Sequence, residues 1–176
     1  MALDGAAALV NTMPLGREGD GLSTVAELDA YLTTWQFTGR RRLDRTELSQ
    51  VRELRTELRE FWTTESDEQV VDRINQLLKR ARALPQVVRH DQWDWHIHAT
   101  EASQPLAQRI AVDAAMAVID LLRSGDRQRL RVCAADGCER VLVDWSKNRS
   151  RRFCDTSCAN TTHVKAYRAR KRARND

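Results

Sequence analysis

Four cysteines in the last quarter of the chain restrict its folding more than any other feature. They are Cys133, Cys138, Cys154 and Cys158, and the 176 residues contain no others. The pattern is Cys-x4-Cys, 15 intervening residues, then Cys-x3-Cys. Met1 to Val10 lacks the basic start of a secretion signal, and Asp4 interrupts its only apolar stretch. No segment approaches the roughly 20 apolar residues that span a bilayer. The expectation is a cytoplasmic protein with no membrane partner, and in a reducing compartment closely paired thiols favour a metal over disulfides. Four thiolates at about 2.3 Å from zinc form the closed tetrahedral shell of a structural ion, with no open position for catalysis. One structural zinc is therefore expected.

The flanking residues supply the scaffold. Gly137 lets the chain fold back between the first two cysteines. Val141 to Val143 reads as one strand, Ser146 to Ser150 as a turn, and Arg151 to Phe153 as the returning strand. Cys154 and Cys158, four apart, fall on one side of a helix, whose N-terminus favours thiolate over thiol. Knuckle, hairpin and helix predict a treble-clef-like finger, although other four-cysteine modules share these parts. His163 stands outside the set, because four ligands already complete it.

Charge separates the same segment from the rest. Residues 1–126 hold 15 Lys and Arg against 20 Asp and Glu, whereas residues 127–174 hold 14 against 4. A four-thiolate zinc site carries −2, which reduces the latter surplus from +10 to about +8. An acidic body with a basic end points to a polyanion as partner. After Cys158 the chain reads as a helix bearing Lys165, Arg168, Arg170, Lys171 and Arg172, while Ala166, Ala169 and Ala173 leave a smooth neighbouring face. Arg149, Arg151 and Arg152 add a second basic cluster. These eight are the candidate nucleic-acid contacts, and few aromatics accompany them, which favours duplex over single-strand binding. The alternative is a finger that binds an acidic partner protein.

The body, residues 1–126, reads as mainly helical. Thr24 with Glu27 forms a capping box, followed by Leu28, Tyr31, Leu32 and Trp35 on one face, with Gly39 as the stop. Asp44 with Glu47 opens a helix whose stripe is Leu48, Val51, Leu54, Leu58, Phe61 and Trp62. Ser66 with Gln69 opens the next, carrying Val70, Ile74, Leu77, Leu78 and Ala81. Between Leu84 and Thr100 the period changes to that of a small antiparallel hairpin: a strand at Val87 and Val88, a turn at His90 to Gln92, and a strand from Trp93 to His98. Trp35, Trp62, Trp93 and Trp95 are expected in the core. Ser103 is the expected cap of a last helix with Leu106, Ile110, Ala114, Val118 and Leu121 or Leu122 inward and Gly125 at its end. The fold class is α+β, mainly α, with the finger, residues 127–176, following the helical body.

With those residues in view, the C-terminal segment resembles the CGNR zinc finger. The cysteine spacing, Arg152-Phe153-Cys154 before the third ligand and Tyr167-Arg168-x-Arg170 beyond the fourth all fit. Cys158-Ala159-Asn160-Thr161 occupies the name motif, with Ala for Gly and Thr for Arg. Leu9-Val10-Asn11-Thr12, the stretch from Asp20 to Leu32 and the Arg52 to Phe61 helix resemble the ABATE domain. The resemblance implies a bacterial, stress-linked transcription regulator that binds DNA through the finger and is associated with the nucleoid. It also implies a body that senses a small-molecule effector or forms a homodimer. Asn11 and Thr12 are the candidate effector-binding residues, with a turn or helix cap as their simpler role.

Other chemistry has little support. Asp94, His96 and His98 share a strand face, but no second acidic element completes a metal shell. Gly16, Gly19 and Gly21 lack the preceding strand of a phosphate-binding loop. No cysteine remains as a nucleophile, so no enzyme is expected.

Overall fold

The computed structural model describes residues 2–15, 19–89 and 94–174. The turn at His90 to Gln92, Trp93 and Gly16 lie outside them, as does the side chain of His96. Among the described residues there are six α-helices: α1 (Ala2–Val10), α2 (Val25–Thr34), α3 (Arg45–Thr63), α4 (Asp67–Arg80), α5 (Leu106–Arg123) and α6 (Thr156–Arg172). None is long and apolar enough to cross a membrane.

Helix α1 is an addition to the elements read from the sequence. Leu3, Ala6, Ala7, Leu9 and Val10 are all buried, so it is enclosed on most sides and has no polar face to give it a period. It packs against α3 and α5, and α5 also covers α3 and α4. The expected stripes meet there. Val51, Leu58, Phe61, Val70, Leu77, Leu106, Ile110 and Val118 are sealed from solvent, each contributing about 1.5–3 kcal/mol by leaving water.

The caps follow local chemistry. Thr24 Oγ1 accepts the Glu27 amide at 3.2 Å, and the Glu27 carboxylate accepts the Thr24 amide at 2.8 Å. Asp44 and Ser66 likewise accept from Glu47 and Gln69. Two expectations are corrected. Helix α2 stops at Trp35, with Gln36 in the left-handed region at φ +55°. The Gln36 amide reaches Thr33 and the Phe37 amide reaches Leu32, so the closing turn forms before Gly39. Helix α5 is capped by Pro105 without a side-chain bond, while Ser103 donates its hydroxyl to Glu101 instead.

Gly39 has a different task. At φ +84° it gives the 36–43 loop room for Arg109, a buried guanidinium on α5 that donates to the Thr38 and Arg40 carbonyls. A second buried guanidinium, Arg55 on α3, fixes the other long loop. It donates to both Asp20 oxygens at 2.7 and 2.9 Å and to Thr12. The resulting ion pair holds the Asp20 carboxyl well below the usual carboxylate range.

Two hairpins complete the fold. Strands β1 (Gln86–Val88) and β2 (His96–His98) pair antiparallel, with Val87 opposite Ile97. Trp95 is not in the core: it is 66% exposed, Ile97 and Val87 are exposed too, and among the described residues no helix or further strand covers that face. Trp62 is buried and Trp35 partly so. Strands β3 (Leu130–Val132) and β4 (Val141–Val143) form the second hairpin. Thus β4 pairs with the segment before the first cysteine, not with Arg151 to Phe153. Leu130 and the wholly buried β4 join the helical core, which settles that register.

Candidate metal centre

The β3–β4 hairpin carries the first cysteine pair in its connection. The Cys133 amide bonds the Arg140 carbonyl at 2.8 Å and the Cys138 amide bonds Ala135 at 3.0 Å. Between them Gly137, at φ +73°, makes the reversal. The second pair straddles the start of α6. Cys154 precedes the helix and Cys158 lies in its first turn, where Asp155 caps by accepting the Cys158 amide at 2.8 Å.

The four sulfurs lie within 4.8 Å of one another. Cys138 and Cys154 are 3.8 Å apart, and Cys154 and Cys158 are 3.6 Å apart. A tetrahedron with sulfurs about 2.3 Å from its centre has edges of about 3.8 Å, so the donor set fits zinc in type, number and spacing. Among the described residues no His, Asp or Glu joins the group. The thiols also need a cation. Burial pushes Cys158 up to about 11, and burial with the neighbouring sulfurs pushes Cys154 higher still. Cys133 is held below its ordinary value: burial opposes its charge, but the Ala135 and Cys154 amides outweigh that. Gathering four thiolates at this spacing needs a divalent ion to offset their charge.

Asp144, at the end of β4, is the residue sequence reasoning missed. It is wholly buried and gathers the loop leading to the second cysteine pair. Its carboxylate accepts from the Ser146 amide and hydroxyl at 3.0 and 2.5 Å and from the Arg151 amide at 3.0 Å. Burial alone would favour its neutral form, yet these donors and the Arg131 guanidinium keep it ionised. A lone aspartate after a strand gives no sequence signal for this.

The finger is joined to the body. Asn11 Nδ2 donates to the Val141 carbonyl at 2.9 Å, and Asn11 Oδ1 accepts the Val141 amide at 2.8 Å, as a neighbouring strand would. Trp62 Nε1 donates to the Leu142 carbonyl at 2.9 Å, and Trp145 Nε1 to Asp4 at 2.8 Å. Thr12 donates to the Leu9 carbonyl and accepts from Arg55. The polar groups of both candidate effector-binding residues therefore already have partners within the chain.

The basic residues fall into two groups. Arg149 pairs with Asp126, Arg151 donates to the Phe153 and Cys154 carbonyls, and Arg152 lies 5.8 Å over the Phe153 ring. On α6, Lys165 approaches Asp136 of the knuckle at 3.7 Å. Arg168, Arg170, Lys171 and Arg172 are exposed with no acidic partner among the described residues. From His163 to Arg174 every residue is exposed.

Comparison with known families adds two matches. Residues 4–125 match the ABATE model, described as "putative stress-induced transcription regulator", and residues 129–171 match the CGNR zinc finger. No curated protein matches the sequence.

Proposed function

We propose that this chain, which belongs to the ABATE family and ends in a CGNR zinc finger, regulates transcription by binding duplex DNA through α6. Family membership makes it a zinc-binding regulator; the DNA contact rests on the exposure of the α6 cations. From His163 onward α6 is exposed and adds little packing, so its charge and shape point to a partner outside the chain. A bound zinc would offset two of the four thiolate charges and hold the first turn of α6 against the knuckle. Cys133, Cys138, Cys154 and Cys158 would be its ligands. The residues themselves align the helix: Asp155 caps it and Arg151 ties its entry to the hairpin. Lys165, Arg168, Arg170, Lys171 and Arg172 contact phosphate or base, with Arg149, Arg151 and Arg152 at the margin.

In this scheme residues 127–176 are the DNA-binding part and residues 1–126 sense an effector or dimerise; no catalytic step is assigned. An effector at Asn11 and Thr12 would compete with Val141 and Arg55 for the same atoms and loosen the finger from the body. The test is fluorescence anisotropy of the zinc-loaded chain on a labelled duplex across a salt series. Six phosphate contacts give a slope of log affinity against log salt of about −5. Changing Lys165, Arg168, Arg170 and Arg172 together to alanine should remove most of the affinity and flatten the slope. Unchanged binding would remove α6 from the mechanism.

A further inference from the structure

The side chains of α6 divide around its axis in a way that simple attraction to phosphate does not require. One side belongs to the finger. Cys158, Ala159 and Thr162 are partly covered there, and the Thr162 hydroxyl bonds the Cys158 carbonyl at 2.9 Å. That side is bounded by Lys165, which approaches the knuckle at Asp136, and by His163, which meets Phe153 edge-on. The opposite side carries Asn160, Val164 and Arg168, each four residues after the last, so they form one stripe along the helix.

All three are exposed, Val164 to 46%. A β-branched valine lowers helix propensity, and with nearly half of its surface in water Val164 adds little to the fold, so its methyls are free to meet a partner. Other charges flank this stripe: by helical spacing Lys165 and Arg172 lie along one edge and Arg170 and Arg174 along the other, while Lys171, seven residues after Val164, continues the stripe itself. Cations on both edges of an amide- and methyl-bearing ridge suit a helix placed between two phosphate backbones. A helix resting on a single backbone would need them on one edge only.

The dimensions agree. A helix is about 10–12 Å across, and the major groove is about 12 Å wide. From Asn160 to Arg168 the rise is about 12 Å, or three to four base pairs at about 3.4 Å each. Asparagine bonds an adenine edge through two groups, valine covers a thymine methyl, and arginine grips guanine N7 and O6.

We propose that α6 enters the major groove and reads a short mixed-sequence site, with Asn160 on adenine, Val164 on a thymine methyl and Arg168 on guanine. The proposal rests on the DNA-binding reading above and adds sequence specificity carried by the Asn160, Val164 and Arg168 stripe. It also gives Thr161, which stands where the family motif has arginine, a neighbour two turns along the same side in Arg168.

The experiment is selection from random duplexes by the full zinc-loaded chain, followed by titration of the enriched site with wild type and single variants. Asn160→Ala should lower discrimination at one A·T pair by roughly tenfold. Replacing thymine by uracil at one position should weaken wild type, and Val164→Ala should no longer distinguish the two duplexes. Lys165→Ala should weaken binding to all sequences alike while the preference persists. These substitutions are at exposed positions and alanine favours helix, so zinc content and helicity should match wild type. Tight binding with no enriched sequence, or a preference unchanged in Asn160→Ala, Val164→Ala and Arg168→Ala, would overturn base reading and leave phosphate binding standing. Failure to bind any duplex would overturn both.

Discussion

Replacing Asn11 by alanine should show how strongly the finger depends on the body. The side chain supplies both the acceptor for the Val141 amide and the donor to its carbonyl, at 2.8 and 2.9 Å. Val141 is 1% exposed, so water cannot readily replace either bond. Each main-chain group left unpaired costs about 1–3 kcal/mol, giving a loss of roughly 3 kcal/mol for the two. For a chain of this length that lowers the melting temperature by about 6–12 °C. Asn11→Asp should be worse, because a carboxylate then faces the Val141 carbonyl. Strand β4 closes the hairpin that presents Cys133 and Cys138, so the variant should also release zinc faster to a chelator. Thermal melting by circular dichroism and stopped-flow chelation would measure the two effects. If Asn11→Ala melts within about 1 °C of wild type and keeps its zinc equally long, the coupling argument is wrong.

Three further predictions concern the body. Burial raises the Asp113 carboxyl to about 6, against the pull of Arg109, from an ordinary 3.8. The folded chain therefore holds this proton more tightly than the unfolded one between about pH 4 and 6, and this contribution to stability falls as pH rises through that window. Asp113 keeps some exposed surface, so Asp113→Asn should stabilise at pH 7 by roughly 1–2 kcal/mol and flatten the profile, as read by urea unfolding at pH 5 and 7. Gly39→Ala should cost at least about 2 kcal/mol, since the position has positive φ and an added Cβ would collide with Arg109. Gly125→Ala, also at positive φ but facing open space, should cost only about 1 kcal/mol in the same assay.

Features set by local chemistry were readable from the sequence. The caps at Thr24, Asp44 and Ser66, the stripes of α3, α4 and α5, and the cysteine cluster each depend on residues close in the chain. What escaped depends on distant partners. Helix α1 is covered on most sides and so shows no period. The alternation from Trp93 to His98 puts Trp95 on an apolar face, which normally has a covering layer, but among the described residues none lies over it. The strand partner of β4 was misread because Leu130 to Val132 carries Arg131 and runs into the first cysteine, which hid it as a strand. Nothing local marks Arg55 or Arg109, yet each is buried to fix a loop from another part of the chain. At the centre itself the ligand positions were legible, but the support from Asp144 and the seating of the hairpin by Asn11 were not.

The most direct test of the account is the metal content of the purified, unchelated chain, measured together with the reactivity of its thiols. The account predicts one zinc per chain and four cysteines that resist a thiol reagent until the metal is removed. A chain without zinc whose four thiols react at once would contradict it, because α6 would then have no fixed base from which to meet DNA.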